Sequence, residues 1–101
     1  MHGEGELFYP ETKSVFRGRF ERGLKVEGEL GTAYGKYQGR FLNGLMHDAR
    51  AKFTWHDGRV YEGPFEFGQM HGRGRLVNGG VTVQGLWERG ENVLIEQLQL
   101  G

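Results

Sequence analysis

The sequence predicts an all-β fold: a single-layer, elongated, twisted antiparallel sheet made of stacked β-hairpins. Three observations point to it. Segments alternating aromatic residues with glycine recur along the 101-residue chain, and alternation of period two is the signature of a strand. Each such arm is followed by a glycine-containing turn and a second alternating arm. Glycine accounts for 19 residues with no G-X-Y period, which sets collagen aside. A strand glycine costs about 0.5–1 kcal/mol relative to Ala, so its recurrence needs a structural reason.

Taken in order, Met1-His2-Gly3 matches Met70-His71-Gly72, and Met46-His47 echoes both. The chain therefore enters inside a unit, as a piece of a longer array would; a chain that simply starts with half a unit is the alternative. First arms follow at Phe16-Arg17-Gly18-Arg19-Phe20, Tyr37-Gln38-Gly39-Arg40-Phe41, Tyr61-Glu62-Gly63-Pro64-Phe65 and Val83-Gln84-Gly85-Leu86-Trp87. Turn glycines come three positions later, at Gly23, Gly44, Gly68 and Gly90. Second arms are Gly3–Leu7, Val26–Leu30, Ala49–Phe53 and Gly72–Leu76. First arms are spaced by 21, 24 and 22 residues, and the variation falls in turns, which tolerate it, while a slip inside a strand would flip every side chain. Pro10–Lys13, Gly31–Gly35, His56-Asp57-Gly58 and Asn78-Gly79-Gly80 carry turn chemistry between units. One domain, 1–101, is expected, with a half unit at 1–15, repeats at about 16–36, 37–60 and 61–82, and a terminal unit at about 83–101. Residues 91–101 lack an interior glycine; a closing strand is expected there, and their apolar spacing also fits a short helix.

The repeats resemble those of the MORN (membrane occupation and recognition nexus) family. The resemblance rests on Tyr-x-Gly-x-Phe, the turn Gly, His-Gly-x-Gly-x-Leu and the inter-unit Asp-Gly, is most specific in Tyr61–Leu76, and covers roughly residues 1–92. Val26, Ala49 and Ala51 depart from it at glycine positions and Val83 at an aromatic one. It implies a hairpin array that acts as a scaffold, binding partner helices or pairing with itself. Related arrays occur beside catalytic domains, so a larger parent could be an enzyme even where the array is not.

Composition narrows the function. Apolar residues make up 37%, so the 13 aromatic residues must carry much of the burial. The 13 basic and 13 acidic side chains balance, which argues against nucleic-acid binding. The absence of Cys fits a reducing compartment, and no apolar run approaches a bilayer span. A cytoplasmic location is expected, with membrane or cytoskeleton as peripheral contacts.

Alternation sorts the side chains into two faces. Phe16, Gly18, Phe20, Tyr37, Gly39, Phe41, Tyr61, Gly63, Phe65, Val83, Gly85 and Trp87 fall on one, where each glycine should leave a hollow for a ring from the next strand. The other is charged: Glu4 and Glu6 lie beside Arg17 and Arg19, and these beside Glu27 and Glu29. Opposite charges across strands contribute roughly 0.2–1 kcal/mol per pair, so a solvated face held by ion pairs explains them.

No catalytic, metal or cofactor site is expected. His2, His47 and His71 recur once per unit, about 10 Å apart along a sheet, too far to share a zinc ion with ligands about 2 Å away; they read as turn supports, as does His56. Ser14 has no evident His and acid partners, and Gly72-Arg73-Gly74 lacks the strand-to-helix context of a phosphate loop. A non-catalytic interaction module is the expected function. It would bind an amphipathic helix, or a second copy, on Phe16, Tyr37, Phe41, Tyr61, Phe65 and Trp87, because one sheet layer leaves an aromatic stripe uncovered. The alternative is contact with anionic phospholipid through Arg40, Arg50, Lys52, Arg73 and Arg75. The strand near Gly3–Leu7, lacking a preceding arm, is an expected edge for self-association.

Overall fold

The computed structural model describes residues 2–101. It is all-β, with no helix among the described residues. In chain order the strands are β1 (Gly3–Tyr9), β2 (Ser14–Glu21), β3 (Leu24–Gly31), β4 (Gly35–Leu42), β5 (Leu45–Met46), β6 (Asp48–Trp55), β7 (Val60–Glu66), β8 (Gln69–Met70), β9 (Gly72–Asn78), β10 (Val81–Glu88) and β11 (Glu91–Leu100). They form one open antiparallel sheet with the path β1-β2-β3-β4-β6-β7-β9-β10-β11, from which β5 and β8 branch to pair with the ends of β4 and β7. The molecule measures 44 × 23 × 20 Å. The eight strand-to-strand steps of the path, at about 4.8 Å each, come to about 38 Å, so the long axis is the stacking direction.

The hairpin tips share one geometry. Arg22/Gly23, Asn43/Gly44, Phe67/Gly68 and Arg89/Gly90 all have positive φ at both positions, 53°/80°, 51°/80°, 49°/89° and 52°/83°. Two consecutive positive φ values make a type I′ turn, whose twist matches that of the flanking strands. Glycine at the second position makes the turn cheap; the first position carries the strain. Two histidines support it. Nδ1 of His2 accepts from the Arg22 amide at 3.4 Å, and Nδ1 of His47 from the Phe67 amide at 3.3 Å. His71 faces the Glu66 carboxylate instead, at 3.5 Å. The second arm breaks at the histidine, into β5 and β6 around His47 and into β8 and β9 around His71. β3, which has Lys25-Val26 in that place, runs unbroken with a bulge opposite Arg19/Phe20.

The aromatic face forms the core. Phe16, Phe20, Tyr37, Phe41, Phe53, Tyr61, Phe65 and Trp87 are buried together with Ala51. Their rings line up from hairpin to hairpin in an edge-to-face ladder. Phe20 meets Phe16 (5.0 Å between centroids), Phe16 meets Phe41 (5.3 Å), and Phe41 meets Tyr37 (5.1 Å). Tyr37 then meets Phe65 (5.1 Å), Phe65 meets Tyr61 (5.5 Å), and Tyr61 meets Trp87 (5.2 Å). The first ring of one unit thus packs on the second ring of the next, and such pairs contribute about 0.5–1.5 kcal/mol each beyond burial.

The glycines between rings work differently from the expectation. The ring nearest each one comes from its own strand, two residues earlier. A methyl carbon on Gly18 would lie 2.8 Å from Phe16 Cζ, on Gly39 2.7 Å from Tyr37 Oη, and on Gly63 2.9 Å from Tyr61 Oη. Neighbouring backbones also close in there, since Gly5 pairs with Gly18, Gly18 with Gly28, and Gly28 with Gly39. Gly39 and Gly63 have φ of 158° and 154°, and the strand bends there so that the Tyr37 and Tyr61 hydroxyls reach the carbonyls of Arg40 and Pro64.

This bending changes the shape. Strands of eight residues span about 26 Å, and one flat sheet layer is about 10 Å thick. The two short dimensions are instead nearly equal, at 23 and 20 Å. The sheet is rolled about its long axis, so it covers its own aromatic face without a second layer. The chain end settles as a strand, β11, and the helical alternative falls away.

Candidate functional site

Rolling the sheet leaves an apolar groove with a volume of about 440 Å³. Met46, Phe53, Trp55, Phe65 and Met70 line its inside. Thr12 and Thr32–Tyr34 of the turns between units and Ser14 at the start of β2 border it on one side, and Gly68 and Gly90 of the hairpin tips with Gln69 of β8 on the other. These two sets come from opposite ends of the strands, which approach one another only because the sheet curls. None of the lining residues is charged.

Each wall is held by local chemistry. On the inter-unit side, Thr32 Oγ1 accepts from the Tyr34 and Gly35 amides at 3.1 and 3.2 Å, and the Thr32 amide donates to the Gly35 carbonyl at 2.7 Å. The neighbouring turn docks on this one: the His56 amide donates to the Tyr34 carbonyl at 3.1 Å, and His56 Nε2 lies 3.2 Å from the Thr32 carbonyl oxygen. Trp55 is held between Phe53 (4.8 Å) and the Arg59 guanidinium (4.8 Å). Ser14 Oγ, in a buried residue, accepts from Thr12 Oγ1 at 2.9 Å. On the tip side, the Gly68 amide donates to the Met46 carbonyl at 2.8 Å and the Gly90 amide to the Met70 carbonyl at 2.9 Å. Successive tips are therefore stitched into a continuous rim, with Met46 and Met70 below it.

Beneath the groove the tyrosines lock the strand bends. Tyr37 Oη donates to the Arg40 carbonyl at 2.6 Å and Tyr61 Oη to the Pro64 carbonyl at 3.0 Å. Burial pushes the Tyr61 phenol up to about 12. Burial, aided by the negative charge of Asp48, also raises that of Tyr37. Both stay protonated donors well into the alkaline range. The Asp48 carboxylate itself accepts from the Arg40 amide at 3.0 Å and the Arg50 amide at 2.9 Å, satisfying donors where the β6–β7 register shifts. Alternation does not reveal this role, because it joins two strands through one side chain.

Of the six residues expected to touch a partner, Phe65 lines the groove. Phe16, Tyr37, Phe41, Tyr61 and Trp87 are between 0% and 7% exposed. They form the packed support below the groove, since the rolled sheet encloses the stripe that a flat one would leave open. The lining side chains that reach solvent include Tyr34, 76% exposed, together with Trp55, Met46, Met70 and Gln69. Sequence reading missed these because they sit in a turn, in the two short strands and at the end of β6, outside the alternating arms; the recurring Met before His was the available signal.

The charged face divides otherwise than expected. Arg40 faces Glu27 (3.8 Å), Arg73 forms a two-pronged pair with Glu96 (2.8 and 2.7 Å), and Arg75 binds Glu62 (2.9 Å). The Glu96 carboxylate holds the Arg73 guanidinium above its usual range, and Arg73 in turn holds Glu96 below its own. Arg17 binds Glu6 (2.6 Å) and Arg19 faces Glu27 (3.6 Å), as alternation suggested, and Arg19 also binds Glu21 on its own strand (3.0 Å). Among the described residues, only Arg50 and Lys52 of the five lipid candidates form no ion pair.

Among the described residues no three His, Asp or Glu side chains are placed to hold one metal ion. No helix among them is long and apolar enough to cross a membrane. Comparison of the chain with protein-family models and with curated proteins gives no match.

Proposed function

We propose that this chain is a MORN-like, non-catalytic protein-interaction module whose groove takes the apolar side of an amphipathic helix. One observation carries the reading: an uncharged groove of about 440 Å³ resting on a rigid ladder of buried rings. Apolar concavities with a few polar rim groups are the usual form of a recognition site, and a helix presents its i, i+3, i+4 and i+7 side chains to such a groove. Met46 and Met70 add adaptable surface, which suits side chains of varied shape. Gln69, exposed at the rim, offers a neutral polar contact. Membrane contact through the charged face is the weaker reading, because of the five candidates only Arg50 and Lys52 lack an ion pair among the described residues. Two basic residues contribute about 2 kcal/mol at an anionic surface.

The test is selection from a displayed library of amphipathic helical peptides with Leu at i, i+3, i+4 and i+7. Binders should lose most of their affinity for Tyr34→Glu and Met70→Glu, while Arg50→Glu leaves it unchanged. A library without binders, or binders indifferent to both groove substitutions, sinks the reading.

A further inference from the structure

We propose that Met46 and Met70 are a reversible oxidation site, at which a hydroperoxide converts each thioether to a sulfoxide and so shuts the groove to its apolar guest. This rests on the helix-binding function proposed above and adds its control. The chain holds three Met and no Cys, so with no thiol to react first the thioethers are where a hydroperoxide acts. All three stand at one place in the repeat, as Met1-His2, Met46-His47 and Met70-His71; Met1 lies outside the described residues. Met46 of β5 stands opposite Phe41, and Met70 of β8 opposite Phe65. Both therefore share the face of the rings, pack against them and line the groove. Both are partly exposed, so an oxidant reaches them from solvent. They hold equivalent positions in neighbouring units, about 10 Å apart. Seven helical residues rise about 10.5 Å, so one docked helix covers both.

In the reaction a sulfur lone pair attacks the outer peroxide oxygen. An S–O bond forms and the O–O bond breaks. The hydroxyl proton of the transferred oxygen passes to the leaving oxygen, which departs as water or an alcohol. Sulfur is oxidised by two electrons and the peroxide reduced by two. The product exchanges a flexible apolar tip for a polar one with a strong acceptor oxygen. Open to solvent, that oxygen is hydrated. Under the Leu side chains of a docked helix it loses its water and meets no donor in return, and a polar group buried without a partner is unfavourable. The fold does not share the penalty. Met46 and Met70 are placed through the main chain, their carbonyls accepting from the Gly68 and Gly90 amides at 2.8 and 2.9 Å. The ring ladder runs from Phe20 to Trp87 without passing through either side chain. Oxidation thus changes the surface of the groove and leaves its support in place.

The probe is a helical peptide with Leu at i, i+3, i+4 and i+7 that binds the untreated chain. The chain is treated with hydrogen peroxide, the added oxygens are located by peptide mass mapping, and affinity is compared before and after. Met46 and Met70 should each gain one oxygen, and affinity should fall at least tenfold with an unchanged far-UV spectrum. The two methionine sulfoxide reductases, one for each epimer, should restore it. In Met46→Leu/Met70→Leu, which keeps Met1, peroxide should not change affinity, whatever its value before treatment. Affinity that survives oxidation of both residues, an equal loss in the double variant, or loss of the sheet spectrum on oxidation overturns the proposal and leaves helix binding standing. Met46 and Met70 that stay unoxidised while Met1 reacts overturn it as well. An untreated chain that binds no such peptide overturns the helix function and this control together.

Discussion

Replacing Gly63 by Ala should destabilise the protein by about 1–5.6 kcal/mol. The new methyl would lie 2.7 Å from Gly74 Cα and 2.9 Å from Tyr61 Oη, on a residue with φ of 154°. Backbone cannot rotate away as a side-chain tip can, so the sheet itself must shift, and such overpacking typically costs about 1–3 kcal/mol. Holding a non-glycine residue at that φ adds about 1–3 kcal/mol. Loss of unfolded-state freedom returns only about 0.4–1 kcal/mol. Gly31 is the matched control: a methyl there finds only the Val15 carbonyl oxygen, at 3.8 Å, so Gly31→Ala should be neutral or stabilise by up to about 1 kcal/mol. Urea titration followed by Trp fluorescence measures both. A small domain commonly has about 5–15 kcal/mol in total, so the predicted shift in midpoint is large. Equal effects at the two sites, or Gly63→Ala within about 0.5 kcal/mol of the native chain, would refute the argument that the bend requires glycine.

Three further outcomes follow from the same geometry. Phe65→Ala, which removes a ring touching Tyr37, Tyr61 and Phe53, should cost about 3–5 kcal/mol. Phe67→Ala, at an exposed tip, should cost far less in the same urea titration. Asp48→Ala leaves the Arg40 and Arg50 amides without their carboxylate and should cost about 1–3 kcal/mol, read as a lower thermal midpoint. The raised phenols of Tyr37 and Tyr61 set an alkaline limit. Their contribution is intact below the unfolded value of about 10 and declines as pH rises towards the folded values, because the unfolded chain gives up those protons first. Tyrosinate absorbance should therefore rise in step with loss of the β-sheet circular dichroism. Ionisation of Tyr61 while the sheet remains intact, detected as a step missing from Tyr61→Phe, would contradict it.

The arms were legible because alternation is local. Phe16, Phe20, Tyr37, Phe41, Tyr61, Phe65 and Trp87 follow directly from period two, and so does their shared face, whereas the order in which the rings meet is seen only in the structure. Gly23, Gly44, Gly68 and Gly90 marked the tips, though only the structure shows that Arg22, Asn43, Phe67 and Arg89 share their positive φ. Curvature was not legible. It accompanies the backbone angles at Gly39 and Gly63 and the close approach of neighbouring strands, and no window of sequence contains both partners. The groove inherits this difficulty. Its lining joins Thr12 to Gly90, residues brought together by the roll and not by any single hairpin. Asp48 and Tyr34 escaped notice for the same reason, one joining two strands and the other standing in a turn.

The ring ladder also bears on how such a chain can change over generations. Each rung is completed by the unit beside it, so duplicating or deleting a whole unit restores the same junctions and disturbs no distant contact. Each added unit would lengthen the molecule by about 10 Å while leaving its cross-section alone. The reach of such a protein is therefore a quantity that gene duplication can adjust in even increments, without redesigning an interior.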